Sequence, residues 1–470
     1  MNSDRPFDLV LRNARMPSRA LRDPAGKPAS EERVDVGVRA GVVEAVGPKL
    51  ERGTTEFDCA GALLLPGFVD NHVHYREPGA SWKEGWVAGS SASLRGGATR
   101  VGEIQNNAPL VETVEQWRAK VASVTRRSRV RPMVYGCATK RNVASLKELA
   151  AAAPGVKLFM AADESLEVSD EPTLRAIFTE VAAAHGLLVL HAEDGPLVRK
   201  GLQRFGDRAQ DFWLARSADA ERVAVERALE LSARIGTRLH FFHVSSEAAC
   251  GAIRTAKRRG LPVSAAACAH YLVFTHDDVD ERGAILKCNP SIKGAEDRAA
   301  LRAAVKDGTL DVIQSDHAPH PRAEKQRRFR DAPSGIPGAD LFLPLWLGLV
   351  GEGVLTLDEL VERGALAPAR LHGVHQRGRA TPIAAADFVL IEEGEFVVAE
   401  GDFASKAKLS PWVGRTLRHR VAKAWVGGKL AYDRSEPEDI AALERAAPPP
   451  LPDVDPPAAA ASKPDPKGCC

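Results

Sequence analysis

The feature that most constrains this chain is a short, almost unbroken apolar run that recurs eight times between residues 63 and 314. The runs are Leu63–Val69, Thr99–Ile104, Met133–Ala138, Val156–Met160, Leu187–Leu190, Leu239–Val244, Pro262–Ala267 and Leu310–Gln314. A strand that is apolar on both faces belongs in a parallel sheet covered on both sides. Helical patterns separate the runs. The clearest is Asp219–Ile235, with Val223, Ala224, Leu229, Leu231 and Ile235 on one face. Eight strand–helix units predict an α/β chain folded as a (β/α)8, or TIM, barrel.

The two ends read differently. FDLVLRNARM, RVDVGVRAGVVEAVG and TEFDCAGALLLPG at the start, and DFVLIEEGEFVVAE and HRVAKAWVGGKLAYD near the end, are β-rich runs broken by Gly and charge. Termini often lie close together. A small β-domain built from both chain ends, 1–65 plus 380–440, is therefore expected, with the barrel at 66–379. Residues 441–470 are Pro/Ala-rich without periodicity and are expected to be disordered. The terminal Cys469–Cys470 reads as a frayed end in preference to a reactive pair.

Composition narrows the function. The 470 residues carry a formal net charge of +2, and no basic stripe alternates with aromatics, so nucleic acid is not the implied partner. No run of eighteen apolar residues offers a membrane span. The charged start, MNSDRPFDLVLRN, lacks a signal peptide's apolar stretch. Seven cysteines without a CxxC pair fit free thiols in a reducing cytoplasm.

Ligand-type residues gather where the runs end, and barrel active sites lie at that rim. Run one leads into His72 and His74, two apart and so on one face of an extended chain, with Asp70 sharing their parity. Two such imidazoles suit a divalent metal; a surface loop is the bland alternative. Lys157 sits among apolar neighbours in VKLFM, where an ammonium is costly to bury unless paired or neutralised. It either snorkels out between helices or is converted by carbon dioxide to an anionic carbamate that two metals can share. Run five ends at His191. Run six supplies His240 and His243, which are three apart; only one is expected to point inward, and His240 is assigned the packed or outward role. After run eight, Asp316 is the ligand or base and His317 faces the other way. Two cations about 3.5–4 Å apart can share and activate a hydroxide at neutral pH. Histidine-rich ligation favours zinc, with manganese or cobalt as substitutes.

At these residues the sequence resembles the amidohydrolase superfamily and, within it, the dihydroorotases. The likeness runs from about Phe7 to Tyr432 on HVHYREPG (72–79), IQNNAP (104–109), VKLFM (156–160), HAED (191–194), HVSS (243–246), KCNPSIK (287–293), SDHAPH (315–320) and SGIPG (334–338). The resemblance implies two zinc ions per subunit. His72, His74 and Asp316 would hold the buried ion, His191 and His243 the exposed one, and carboxylated Lys157 would bridge them. Asp316 would also shuttle the proton. Arg76, Asn106 and His320 would hold the substrate carboxylate, a pairing that guanidinium geometry favours, and Asn289 would lie near the ring. The implied reaction is the reversible closure of N-carbamoyl-L-aspartate to (S)-dihydroorotate plus water in pyrimidine biosynthesis, by a cytoplasmic homo-oligomer acting on a small molecule.

The chain departs from the pattern in places. IQNN stands where MPNT is usual, leaving Asn107 as a neighbouring candidate for Asn106. AHYL, with only His270, replaces a paired-histidine motif. SWKEGW (81–86) is closer in flavour to allantoinases. An allantoinase or hydantoinase would share every metal ligand, but its neutral ring needs no carboxylate clamp. A non-catalytic partner protein of this family would normally have lost ligands that are present here. The basic run RAEKQRRFR (322–330) reads as a solvated loop rather than a partner contact. His185, His276, His372, His375 and His419 fall outside the metal set, and His270 could line the pocket, as could Ala266–Tyr271 and Lys287–Lys293.

Overall fold

The structure, a computed structural model, describes residues 6–17, 33–163, 165–374 and 385–451. Eight parallel barrel strands follow the predicted runs: Phe68–Val73, Ala98–Glu103, Arg131–Val134 continued by Gly136–Ala138, Val156–Phe159, Leu187–His191, Arg238–Phe241, Val263–Cys268 and Val312–Gln314. Each pairs in parallel with the next. The ring closes where strand eight runs beside strand one: Val73 bridges His317, and the His74 amide donates to His317 O at 2.8 Å. Helices alternate with the strands. The expected helix spans Ala218–Ile235, with the Ser217 side chain capping its first turn and Gly236, at φ 86°, closing it.

Run one is corrected. Its first half, Leu63–Pro66, is no part of the barrel. It pairs antiparallel with Phe388–Val397, which continues to Thr416–Val426 and Lys429–Asp433. Gly67 then hands the chain to barrel strand one, its amide bonded to Asp387 O. A Cβ at Gly67 would meet Thr99 Oγ1 at 2.1 Å, so the joint requires glycine. A second end sheet holds Phe7–Ala14, Val34–Arg39, Val42–Gly47 and Gly53–Asp58. The two sheets share one apolar core, in which Leu9, Leu11, Val36 and Leu64 meet Phe388, Leu390 and Trp425. Both chain ends thus build the β-domain beside the barrel.

The tail departs from expectation at its start. Ile440–Ala446 is a helix capped by Asp439, and Lys406 reaches Glu444 at 2.8 Å beside it. The rest of the tail from 452, with Cys469 and Cys470, lies outside the described residues, as do His375 and the expected 379/380 boundary. Among the described residues no helix is long and apolar enough to cross a membrane.

Candidate metal and carboxylate site

The strand ends bring four histidines, an aspartate and a lysine together. His72 and His74 leave strand one on the same side, their Nε2 atoms 3.1 Å apart. Asp316 Oδ1 completes the triangle at 3.4 and 3.6 Å. Nitrogens each about 2.0–2.1 Å from a tetrahedral zinc would be separated by about 3.4 Å, so the triangle has the edge lengths of one face of such a site. His191 Nδ1 and His243 Nε2 form the second pair at 3.2 Å. The His72 and His243 rings are 5.2 Å apart, so the pairs are neighbours.

Hydrogen bonds fix which nitrogen of two rings is available. His74 Nδ1 donates to Ile104 O at 3.1 Å, leaving Nε2 as the lone pair. His191 Nε2 donates to Glu193 at 2.8 Å, leaving Nδ1. Glu193 is braced in turn by Arg216 Nε at 3.0 Å, and that guanidinium outweighs burial to hold the carboxylate well below its usual range. Burial depresses the rim histidines, His74 to about 4 and His72 and His243 well below their ordinary value, so their imidazoles are neutral and free to act as donors. Burial alone would raise Asp316, but the His74 bond and nearby positive charge win, and it stays ionised below its ordinary value.

Lys157 is buried, 1% exposed, and does not snorkel out. Its Nζ lies 4.5 Å from the Phe242 ring centre and 4.7 Å from that of Phe159. Its charge acts on all four rim histidines. An ammonium there would repel any cation they held, whereas a carbamate would attract one. The donor set therefore fits a pair of divalent cations.

Three site residues hold left-handed backbone: Arg76 at φ 62°, His243 at 36° and Asp316 at 50°. Such strain costs a side-chain-bearing residue about 1–2 kcal/mol, so something must hold each in place. For Asp316 it is Asp70, whose carboxylate accepts from Ser315 N at 2.9 Å and from the Ser315 hydroxyl. Asp70 shares the parity of His72 and His74 but supports the loop that carries Asp316.

The left-handed turn at His243 also overturns the parity argument for run six. Strand six ends at Phe241, so His243 lies beyond it and the alternation no longer applies. His240 is packed, not outward: it reaches across the barrel to Asn71 Nδ2 at 3.1 Å and bonds Ser264 Oγ at 2.7 Å.

Beside the cage lies the second cluster. Arg76 Nη1 donates to Asn106 Oδ1 at 2.7 Å, and Nη2 lies 3.3 Å from His320 Nε2. Asn107 turns away to Pro78 O. Asn289 accepts from Ser334 Oγ at 3.0 Å, and Ser334 O lies 3.0 Å from His320 Nε2. The solvated-loop reading of 322–330 holds for its exposed arginines but fails for two residues. Glu324 bonds Lys83 at 2.9 Å and lies 3.2 Å from His320 Nδ1. Lys325 is buried and donates to Lys287 O, Pro333 O and Gly335 O. Sequence reasoning missed Glu193, Arg216, Lys83 and Glu324. Glu193 had a signal in its place inside HAED, and Glu324 in its position four residues after His320.

Fold and cage together describe a barrel hydrolase whose His72–His74–Asp316 group could hold a metal ion. The amidohydrolase family model matches residues 63–431, and the chain belongs to that family. Its relatives narrow the class to cyclic amidohydrolases. Dihydroorotase of Trichlorobacter lovleyi is 34% identical over 414 residues, 86% of this chain and 95% of that one. Dihydroorotase of Anaeromyxobacter dehalogenans is 36% identical over 411, covering 85% and 94%. Among solved structures, L-hydantoinase from Arthrobacter aurescens superposes with a TM-score of 0.85 at 26% identity, covering 92% of this chain and 97% of that one. The protein is thus an enzyme of the cyclic amidohydrolase kind, acting on a small molecule.

Proposed function

We propose that the protein is a dihydroorotase, interconverting N-carbamoyl-L-aspartate and (S)-dihydroorotate plus water in pyrimidine biosynthesis. The observation that carries this reading is the Arg76–Asn106–His320 cluster beside the histidine cage. Dihydroorotate bears a carboxylate that a guanidinium can grip in bidentate fashion; hydantoin and allantoin rings lack one.

In this reading His72, His74 and Asp316 would hold one zinc ion and His191 and His243 a second, with carboxylated Lys157 as a further ligand. Bound there, the ions would supply Lewis acidity toward the ring carbonyl and lower the pKa of a water to near 7. Arg76, Asn106 and His320 fix the substrate carboxylate and so point the scissile amide at Asp316, with Asn289 near the ring. Asp316, ionised at neutral pH, accepts a proton from the attacking water. It passes that proton to the ring nitrogen as the C–N bond opens, and ring closure runs the same transfers backwards.

Steady-state turnover of dihydroorotate, hydantoin and allantoin tests the assignment. Dihydroorotate is expected to be preferred by orders of magnitude, and preference for either neutral ring overturns it in favour of a hydantoinase or allantoinase. Zinc content after dialysis tests the metal, and a carbamate resonance from isotopically labelled bicarbonate, lost in Lys157→Met, tests the bridge. The five described cysteines are free and buried, which supports a cytoplasmic setting; fractionation checks that, and sedimentation checks the expected homo-oligomer.

A further inference from the structure

One group at the barrel rim is unused by this reaction. Strand seven ends at Cys268, and the next turn carries His270. Each offers a donor atom that lies, with a carboxylate oxygen of Asp316, within 4.8 Å of the others. All three residues are buried: Cys268 is 0% exposed, His270 3% and Asp316 2%. His270 Nε2 makes no hydrogen bond among the described residues. A buried imidazole nitrogen without a partner is costly, and it sits beside an ionised carboxylate. The Cys268 thiol has only a weak contact, from Gln314 Nε2 at 3.6 Å.

We propose that Cys268, His270 and Asp316 form a third cation site, built for a thiophilic divalent ion such as zinc. Thiolate, imidazole and carboxylate are the donors such an ion takes, and a water completes four-coordination. Binding releases the thiol proton to solvent and gives the buried His270 nitrogen a partner. The thiolate also sets the selectivity: zinc and cobalt enter, whereas manganese, which prefers oxygen donors, fills only the pair. The site rests on the binuclear reading in one respect, that it shares Asp316 with the first ion. A cation here competes for the carboxylate that shuttles the proton.

The test is metal titration of the full-length chelator-stripped protein, with equivalents counted after equilibrium dialysis and thiolate-to-cobalt charge-transfer absorption followed in parallel. Three equivalents of zinc or cobalt per chain are expected, one of them accompanied by the thiolate band, against two of manganese. Cys268→Ser should lose the band and one equivalent, and His270→Asn one equivalent. Two equivalents with no band would overturn the third site and leave the pair standing. One equivalent with the band would leave the third site standing and overturn the pair. A band or a third equivalent that persists in Cys268→Ser would assign it to other thiols and overturn the proposal. Circular dichroism of both variants shows that the losses are not loss of fold.

Discussion

Two groups of histidines touch the ring of Phe242. At the rim, His72 stacks on its face with centroids 4.2 Å apart. At the floor, His240 meets its edge at 5.1 Å, and Tyr135 packs edge-on at 5.9 Å. The floor rings are saturated by neutral partners. His240 has Asn71 and Ser264; His372 has Tyr135 Oη at 3.0 Å and Pro154 O at 3.3 Å. Among the described residues no carboxylate bonds to either. The rim rings point lone pairs at one another, beside an aspartate and a buried lysine. Both groups are buried and neutral, so burial and pKa do not distinguish structure from chemistry here. What distinguishes them is whether hydrogen bonds already use the nitrogens.

That contrast can be broken at either end. Asp316→Asn removes the proposed proton carrier and metal donor; kcat should fall by about 10²–10⁴-fold with folding intact by circular dichroism, and a smaller fall would return Asp316 to a supporting role. The floor should instead register in stability against pH. His372 is held at about 4 by burial, below the ordinary value near 6.5. The unfolded chain therefore binds the extra proton between those values. Stability complete above about pH 6.5 is lost as pH falls toward 4, by up to about 3 kcal/mol for this ring. Denaturant titration of metal-free protein across that range should show a slope to which the other buried histidines also contribute, and His372→Gln should reduce it by this ring's share.

Beside the rim lies the carboxylate clamp. Arg76→Met should raise KM for dihydroorotate about 10–100-fold, since charged hydrogen bonds are worth about 1.5–3 kcal/mol, with kcat less affected. An unchanged KM would remove Arg76 from substrate binding. Smallest is His240→Leu, which strands the polar ends of Asn71 and Ser264 and should cost about 1–3 kcal/mol. Thermal melting reads that loss, and zinc content should not change.

The alternation of strand and helix was legible because parallel barrel strands, apolar on both faces, leave an unmistakable mark. So was the gathering of His72, His74, Lys157, His191, His243 and Asp316, since each follows or sits in such a run. What parity could not supply was the behaviour of the chain beyond a strand's end. His243 bends into left-handed backbone there, and the alternation rule that let only one of His240 and His243 point inward no longer applies. Long-range bracing was equally hidden. Nothing local pairs Glu193 with Arg216, or brings Glu324 to Lys83. The split of Leu63–Val69 between two sheets falls at Pro66–Gly67, the one break in an otherwise uniformly apolar run.

That single glycine has an engineering consequence. The polypeptide leaves the end sheet and enters the strand bearing His72 and His74 with no slack between them. Cutting the gene at the barrel's apparent beginning would leave Phe68 as a loose end, four residues before the first imidazole, free to fray. Anyone seeking a minimal catalyst from this scaffold should keep the terminal sheets as an anchor and shorten the protein elsewhere.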